Sequence, residues 1–339
     1  MLESMSCPAC TTPVAAADRF CESCGAELHP AIIAIAGNAS LGDATAAPPC
    51  TSCGTAQIGQ DGYCERCGHR QPHGRDHAEL DIGLAAGVTD KGHHHHRNED
   101  ALVIAHTPEP GGTPTVEVVV CDGVSSTPRA ADASQAAAEA AAASLIDAVR
   151  AGARAEEATS AAAVTAAAAV MALAADGLAA AGTAPSCTLV SALVTEKSVT
   201  VGWVGDSRAY WLAAHPAQLT TDDNVAGELV AAARLSRAEA YAGKGAHVLT
   251  RWLGADAKTT GPQVMTFTPD GPGAVLVCSD GLWNYLPDAD ELSATVPGAA
   301  DAPLAAARTL VRHALDAGGQ DNITVALIPF PPLSRSNTK

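Results

Sequence analysis

Basic charge is scarce in this sequence. Its 339 residues carry 20 Lys and Arg against 37 Asp and Glu, a formal net charge of −17. Such a surface repels phosphate backbones, which argues against general nucleic-acid binding. A leader profile is missing: MLESMSCPAC has no charged stretch followed by an apolar one. Long apolar runs are missing too. The nearest, residues 161–181, is alanine broken by Thr165, Asp176 and Gly177. Alanine is a poor membrane residue, so no span and no membrane partner are expected. The expected compartment is the cytoplasm, where thiols stay reduced and regularly spaced cysteines read as metal ligands. Hydrophobic residues reach 47%, enough for a substantial core although much of that share is alanine, and the length exceeds one average domain.

The cysteines are patterned. Cys7-x2-Cys10 and Cys21-x2-Cys24 are separated by ten residues and followed by Gly25; Cys50-x2-Cys53 and Cys64-x2-Cys67 repeat that spacing before Gly68. Each CxxC brings two thiolates to one tetrahedral ion, and a following glycine frees amides to face sulfur. Residues 1–28 and 50–70 are therefore expected to be small zinc ribbons, one structural Zn2+ each, whose folding energy is metal binding. Residues 1–80 hold four arginines, no lysine and nine acids, which favours protein docking or sensing over nucleic acid. Residues 29–49 and 71–80 read as linkers from their Ala, Pro, Gly and His content. Cys121, Cys187 and Cys278 lie inside apolar runs and read as core.

Four aspartates punctuate apolar, β-branched runs. VEVVVCDG at Val116–Gly123 is a continuous run of the kind buried on both faces of a sheet, and it stops at Asp122. AVLVCSDG at Ala274–Gly281 places Asp280 in the same way. In QDNITVALI at Gln320–Ile328, Asp321 precedes the run, and in VTVGWVGDSRAY at Val199–Tyr210, Asp206 sits at a tight turn between two runs. A carboxylate at a strand mouth is held rigidly and suits a hard cation. The four read as one metal cluster. Around them the pattern predicts a strand over 101–106, helices over 129–150 and 154–181, strands over 187–194, 199–204, 208–212, 264–267 and 274–278, a helix over 302–316, and a last strand over 321–328. Thr127-Pro128 is expected to start the first of those helices. Strands flanked by helix pairs imply an α+β layered domain over 81–330, and residues 331–339 read as a disordered tail.

Five segments, in this order and spacing, resemble the metal-dependent Ser/Thr protein phosphatases, the type 2C or PPM family. They are Asn98-Glu99-Asp100, Asp122-Gly123, GDSRAY from Gly205, SDGLWNYL from Ser279 and GGQDNITV from Gly318. The resemblance covers about residues 82–328. It implies a four-layer α-β-β-α sandwich with two Mn2+ or Mg2+ ions at one edge, and direct hydrolysis of phosphoserine or phosphothreonine. It assigns Asp122 as the bridge between the ions, the Gly123 carbonyl as a ligand of one, Asp280 and Asp321 as ligands of the other, and Glu99 as support for the second ion. Asp206, with Asp280, matches a third, weaker site of bacterial members. It also implies phosphoprotein substrates and an opposing Ser/Thr kinase. The family's phosphate-binding arginine, four residues before the glutamate, is here His95; Arg97 follows two residues later, and either is expected to meet the phosphate. Val124 replaces the histidine of eukaryotic members, and the Ser125-Ser126 hydroxyls are expected either to contact phosphate or to cap the next helix, the second being favoured. Trp203, Trp252 and Trp283 read as packing residues, and Arg234, Arg237 and Arg251 as solvated charge. The missing arginine leaves a competing reading, a phosphatase-like scaffold with weak or no catalysis.

Overall fold

Apolar β-branched runs alternate with alanine-rich ones, and the chain sorts accordingly. The computed structural model describes residues 5–332, apart from 8, 16–17, 19, 37–49, 51–52, 54, 56, 58, 60–63, 69–73, 110–111, 175–183 and 259–260. In chain order, a hairpin of β1 (Met5–Ser6) and β2 (Pro13–Val14) precedes β3 (Ile32–Ile35), β4 (His77–Asp81), β5 (Ala86–Asp90), β6 (Asp100–Thr107) and β7 (Thr115–Asp122). Helices α1 (Ala130–Arg150) and α2 (Ala155–Ala172) follow. Then come β8 (Ser186–Cys187), β9 (Leu189–Val194), β10 (Val199–Val204), β11 (Arg208–Leu212) and β12 (Ala217–Gln218). After α3 (Val225–Ala231) and α4 (Arg237–Tyr241) come β13 (Leu253–Gly254), β14 (Gln263–Phe267) and β15 (Gly273–Cys278). The chain continues through α5 (Asp280–Trp283), α6 (Ala289–Thr295), α7 (Pro303–Asp316) and β16 (Ile323–Phe330).

Two six-stranded antiparallel sheets result, in the orders β14-β10-β9-β7-β6-β3 and β12-β11-β15-β16-β5-β4. They face each other across a core that includes Leu102, Ile104, Val118, Val120, Val275, Val277 and Ile328. Helices α1 and α2 cover the outer face of the first sheet, and α5, α6 and α7 that of the second. This is the expected α-β-β-α sandwich. β7 shows why its run is continuously apolar: Val116, Val118 and Val120 enter the inter-sheet core, while Val119 and Cys121 meet the helices. In α1 the buried positions Ala130, Ala133, Ala137, Ala141 and Leu145 recur every three or four residues, which gives one small-residue face. No helix among the described residues is long and apolar enough to cross a membrane.

The structure differs from the sequence reading at several places. Both linkers contribute strands: β3, from within 29–49, pairs with β6, and β4, from within 71–80, pairs with β5. These strands are four and five residues long, too short to stand out from their Ala- and His-rich surroundings. Helix α1 begins at Ala130 with Arg129 in the left-handed region as its N-cap residue and no side-chain cap. The Thr127 hydroxyl donates back to the Val124 carbonyl at 2.8 Å, so Thr127, Ser125 and Ser126 belong to a turn rather than a cap. β16 starts at Ile323 and runs on to Phe330. Helix α2 ends at Ala172, short of the expected residue 181; residues 175–181, most of the first linker and residues 333–339 of the tail lie outside the described residues.

The cysteine knuckles close as expected. Sγ–Sγ distances are 3.7 Å for Cys7–Cys24, 3.5 Å for Cys10–Cys21, 3.7 Å for Cys50–Cys67 and 3.6 Å for Cys53–Cys64. A tetrahedron with Zn–S bonds of about 2.3 Å has edges of about 3.8 Å, so each set is sized for one zinc ion. Gly25 and Gly68 adopt φ of 73° and 71°, the left-handed turn that a side chain would strain.

Candidate metal centre

The acids come from five chain segments at one edge of the two sheets. Asp122 ends β7 and lies opposite Asp100, the first residue of β6. The next residue must be glycine: a Cβ on Gly123 would stand 2.6 Å from the Ala130 carbonyl oxygen. Asp280 opens α5 directly after β15. A Cβ on Gly281 would stand 1.9 Å from the Asn322 carbonyl oxygen, so the Asp280 turn seats against the Asp321–Asn322 loop only because residue 281 lacks a side chain. Asp206 lies between β10 and β11, its carbonyl accepting from Trp283 Nε1 at 2.8 Å and its carboxylate from Asn224 Nδ2 at 3.0 Å. Asn322 ties the loops together. Its side-chain oxygen accepts from the Glu99 amide at 2.7 Å, and its Nδ2 donates to the Lys91 carbonyl at 2.7 Å and the Arg97 carbonyl at 3.1 Å.

The electrostatics are those of crowded, desolvated carboxyls. Burial, then the charges of Asp100, Asp280, Asp321 and Asp206, push Asp122 well above the usual carboxylate range. Burial, then Asp321, Asp206 and Asp100, do the same to Asp280. Burial raises Asp100 to about 7 against hydrogen bonds from Thr324 and Ser279, and raises Asp206 to about 7 against the bond from Asn224. Asp280 Oδ1 and Asp100 Oδ1 are buried with no hydrogen-bond partner. At the rim, His95 Nε2 is 3.1 Å from Asp321 Oδ1, and Arg97 Nε, on a side chain 69% exposed, is 3.5 Å from Glu99 Oε1. Crowded carboxylates, two of them with orphaned oxygens, form a donor set that fits hard divalent ions. Among the described residues, three or more donors meet within 4.8 Å of one another only in the two cysteine sets. The acids are spread more widely than the cysteines.

All the acids singled out in the sequence therefore meet at this edge, and His95 and Arg97 flank them. Of the arginines read as solvated charge, Arg234 is exposed as expected, whereas Arg237 and Arg251 are partly buried against partners. Arg251 pairs with Asp223 at 3.4 Å, and Arg237 bonds to Gln218 Oε1 at 2.5 Å and lies over the Tyr241 ring. Sequence reasoning missed the support behind Asp206. There Arg208 is fully buried against Asp222, 2.7 Å away, with its guanidinium 3.6 Å from the centroid of the Trp283 ring. His247 stacks on Trp283, with ring centroids 5.6 Å apart. It lines a cavity of about 310 Å³ with Gly281, Asn284, Tyr285, Gln320 and Asp321, open beside the acids. No pattern in the sequence marks His247; its ring contacts with Tyr241 and Trp283 bring it there.

Fold and site define a class, and comparison with known proteins identifies it. Residues 91–313 match the family model for protein phosphatase 2C, and the chain belongs to that family. Residues 7–69 match the double zinc ribbon. The chain is 33% identical over 149 residues to the serine/threonine phosphatase stp of Listeria monocytogenes, which covers 42% of this chain and 55% of that protein. It is 34% identical over 143 residues to protein phosphatase PhpP of Streptococcus pneumoniae, covering 42% and 56%. The chain spans about half the length of the curated relatives it matches. Among solved structures, the PPM Ser-Thr phosphatase MsPP of Mycobacterium smegmatis, in complex with cacodylate, is 32% identical with a TM-score of 0.57, covering 75% of this chain and 99% of that one. The catalytic domain of the serine threonine protein phosphatase PstP, in complex with two manganese ions, is 25% identical with a TM-score of 0.56, covering 73% and 97%.

Proposed function

We propose that this chain is a metal-dependent protein phosphatase that hydrolyses phosphoserine and phosphothreonine monoesters to the free hydroxyl and inorganic phosphate. The observation that carries the reading is the set of buried carboxyls, two with orphaned oxygens, gathered at one sheet edge in a chain of this family. Asp122 would serve both cations and the Gly123 carbonyl one of them, Asp280 and Asp321 would hold the other, and Glu99 would support the second; Asp206 with Asp280 would offer a third, weaker site. Manganese or magnesium suits these oxygen donors. Bound there, such ions supply Lewis-acid charge for the phosphoryl oxygens and an activated water. The protein's own part is positional. Asn322 holds the Glu99 and Asp321 loops in one frame, and the Gly281 turn brings Asp280 against them. His95 and Arg97 stand at the rim, where an incoming phosphate would meet their N–H groups. With Val124 after Gly123, that loop offers no imidazole to protonate the leaving oxygen, and water takes the role.

The two ribbons hold one zinc each and serve as a docking or sensing module for a protein partner. Folding units that suit the strand pairings are ribbons 1–28 and 50–70, with a catalytic body that takes in Ile32–Ile35 and His77–Phe330. Substrates are phosphoproteins of a Ser/Thr kinase pathway in the cytoplasm, a setting that the 11 free cysteines suit. Hydrolysis of p-nitrophenyl phosphate and of a phosphothreonine peptide with Mn2+ tests the activity. Asp122→Ala is expected to lose at least about 100-fold in kcat, since it removes a preorganised charge from the reacting centre. A wild type that binds manganese and hydrolyses neither substrate would overturn the reading and leave the phosphatase-like scaffold.

A further inference from the structure

Arg75 lies in a stretch that the sequence marks only as linker, eight residues after Cys67. Its Nε donates to the Asn98 carbonyl at 3.0 Å, and one terminal nitrogen donates to the carbonyls of Asp100 at 3.2 Å and Ala131 at 2.8 Å and to Ser134 Oγ at 3.3 Å. Asn98 Nδ2 donates back to the Arg75 carbonyl at 3.1 Å. The carbonyl between the two it grips, that of Glu99, accepts from the Ser134 hydroxyl and from the Gly123 amide at 3.2 Å. Three consecutive carbonyls of the Asn98-Glu99-Asp100 segment are thus held by side chains or by the Asp122–Gly123 turn. One guanidinium ties that segment to the first turns of α1. The grip is itself anchored: the Lys91 amide donates to the Asp76 carbonyl at 2.8 Å, and His77 Nδ1 meets Asp90 Oδ2 at 2.7 Å.

We propose that Arg75 is a positioning residue of the metal centre, which sets the backbone carrying Glu99 and Asp100 from the segment that joins the second zinc ribbon to the catalytic body. The chemistry favours arginine. A planar fork of five N–H donors can serve acceptors in several directions at once, whereas a lysine ammonium on a flexible stem cannot span them. Without it, carbonyls at the mouth of β6 lose partners, and the loop that carries Glu99 is free to move away from Asp122. The proposal rests on the reading of Glu99 and Asp122 as cation-binding acids, but it does not need turnover to be tested.

The test uses the full-length protein and its Arg75→Ala and Arg75→Lys variants. Mn2+ affinity is measured from the EPR signal of free manganese, alongside zinc content, a thermal melt, and kcat and KM for p-nitrophenyl phosphate at limiting and saturating Mn2+. Arg75→Ala is expected to bind Mn2+ about 10–100-fold more weakly, the range found when partners behind a metal ligand are removed. Arg75→Lys should recover only a minor part of that loss. Zinc content should stay at the wild-type value, kcat should return as Mn2+ is raised, and KM at saturating Mn2+ should be unchanged. A folded Arg75→Ala protein with Mn2+ affinity within about twofold of wild type would overturn the proposal. Should Arg75→Ala not fold, wild-type affinity in Arg75→Lys would overturn it equally. A wild type that binds Mn2+ but hydrolyses nothing would remove the phosphatase reading and leave the affinity comparison as the test of Arg75.

Discussion

Asp222 offers the sharpest test of how the centre is supported. Its carboxylate takes Arg208 Nε at 2.9 and 3.1 Å and a terminal guanidinium nitrogen at 2.7 Å, together with the Tyr241 hydroxyl and Gln218 Nε2 at 3.3 Å. The two charged side chains are 0% and 1% exposed. Such a pair need not stabilise the fold relative to two apolar residues, because desolvation offsets most of the attraction. Removing one partner is different. Asp222→Ala leaves the Arg208 guanidinium buried without its carboxylate, beside Tyr210 Oη at 3.0 Å and the Trp283 and Tyr241 rings, which costs about 3–5 kcal/mol. For a body of this size each kcal/mol moves the melting temperature by about 2–4 °C, so a fall of roughly 6–20 °C is expected. Trp283 also donates to the Asp206 carbonyl, so the loss should reach the acid edge. Calorimetric melts of Asp222→Ala, Arg208→Met and the double variant Arg208→Met/Asp222→Leu complete a cycle. The double variant should lie above both single variants, with a coupling energy of at least about 2 kcal/mol. Additive losses, or a single-variant loss under about 1 kcal/mol, would refute the account of this pair.

Three further outcomes are expected. Gly281→Ala should destabilise the fold by about 3 kcal/mol and weaken Mn2+ binding, because its Cβ would stand 1.9 Å from the Asn322 carbonyl oxygen; a wild-type melt would contradict this. In metal-free protein, burial holds Asp100 and Asp206 near 7, whereas a carboxyl in an unfolded chain titrates near 4. Between about pH 4 and 7 the folded state therefore keeps protons that the unfolded state has lost, and this contribution to stability falls as pH rises. The metal-free melting temperature should be higher at pH 5 than at pH 8, with Mn2+ restoring it at pH 8, and a flat or rising profile would contradict the assignment. Elemental analysis should find two zinc ions per chain, one for each cysteine set, and Cys21→Ser and Cys64→Ser should each remove one.

Much of the centre was legible before any fold was known. Asp122, Asp280 and Asp321 each sit beside a β-branched run with a glycine or asparagine neighbour, and a carboxylate held at a strand mouth has few other uses. The cysteine spacing was legible for a similar reason, since two CxxC pairs constrain a tetrahedron almost by themselves. Arg75 was not legible: its role depends on carbonyls 23 to 56 residues away, and nothing in its neighbours records them. His247 and the Arg208–Asp222 pair were hidden for the same reason. β3 and β4 were hidden because edge strands of four and five residues draw their stability from the neighbour they pair with rather than from their own pattern.

The sequence by itself determined the layers, the two zinc knuckles and which acids would gather, because periodicity, ligand spacing and strand-end carboxylates are local properties of a chain. Tertiary structure decided what holds those acids in place: the guanidinium from the joining segment, the asparagine that binds two loops, and the buried arginine behind Asp206. Those roles depend on desolvation and on hydrogen-bond acceptors brought from distant segments, and neither exists until the two sheets have closed on each other.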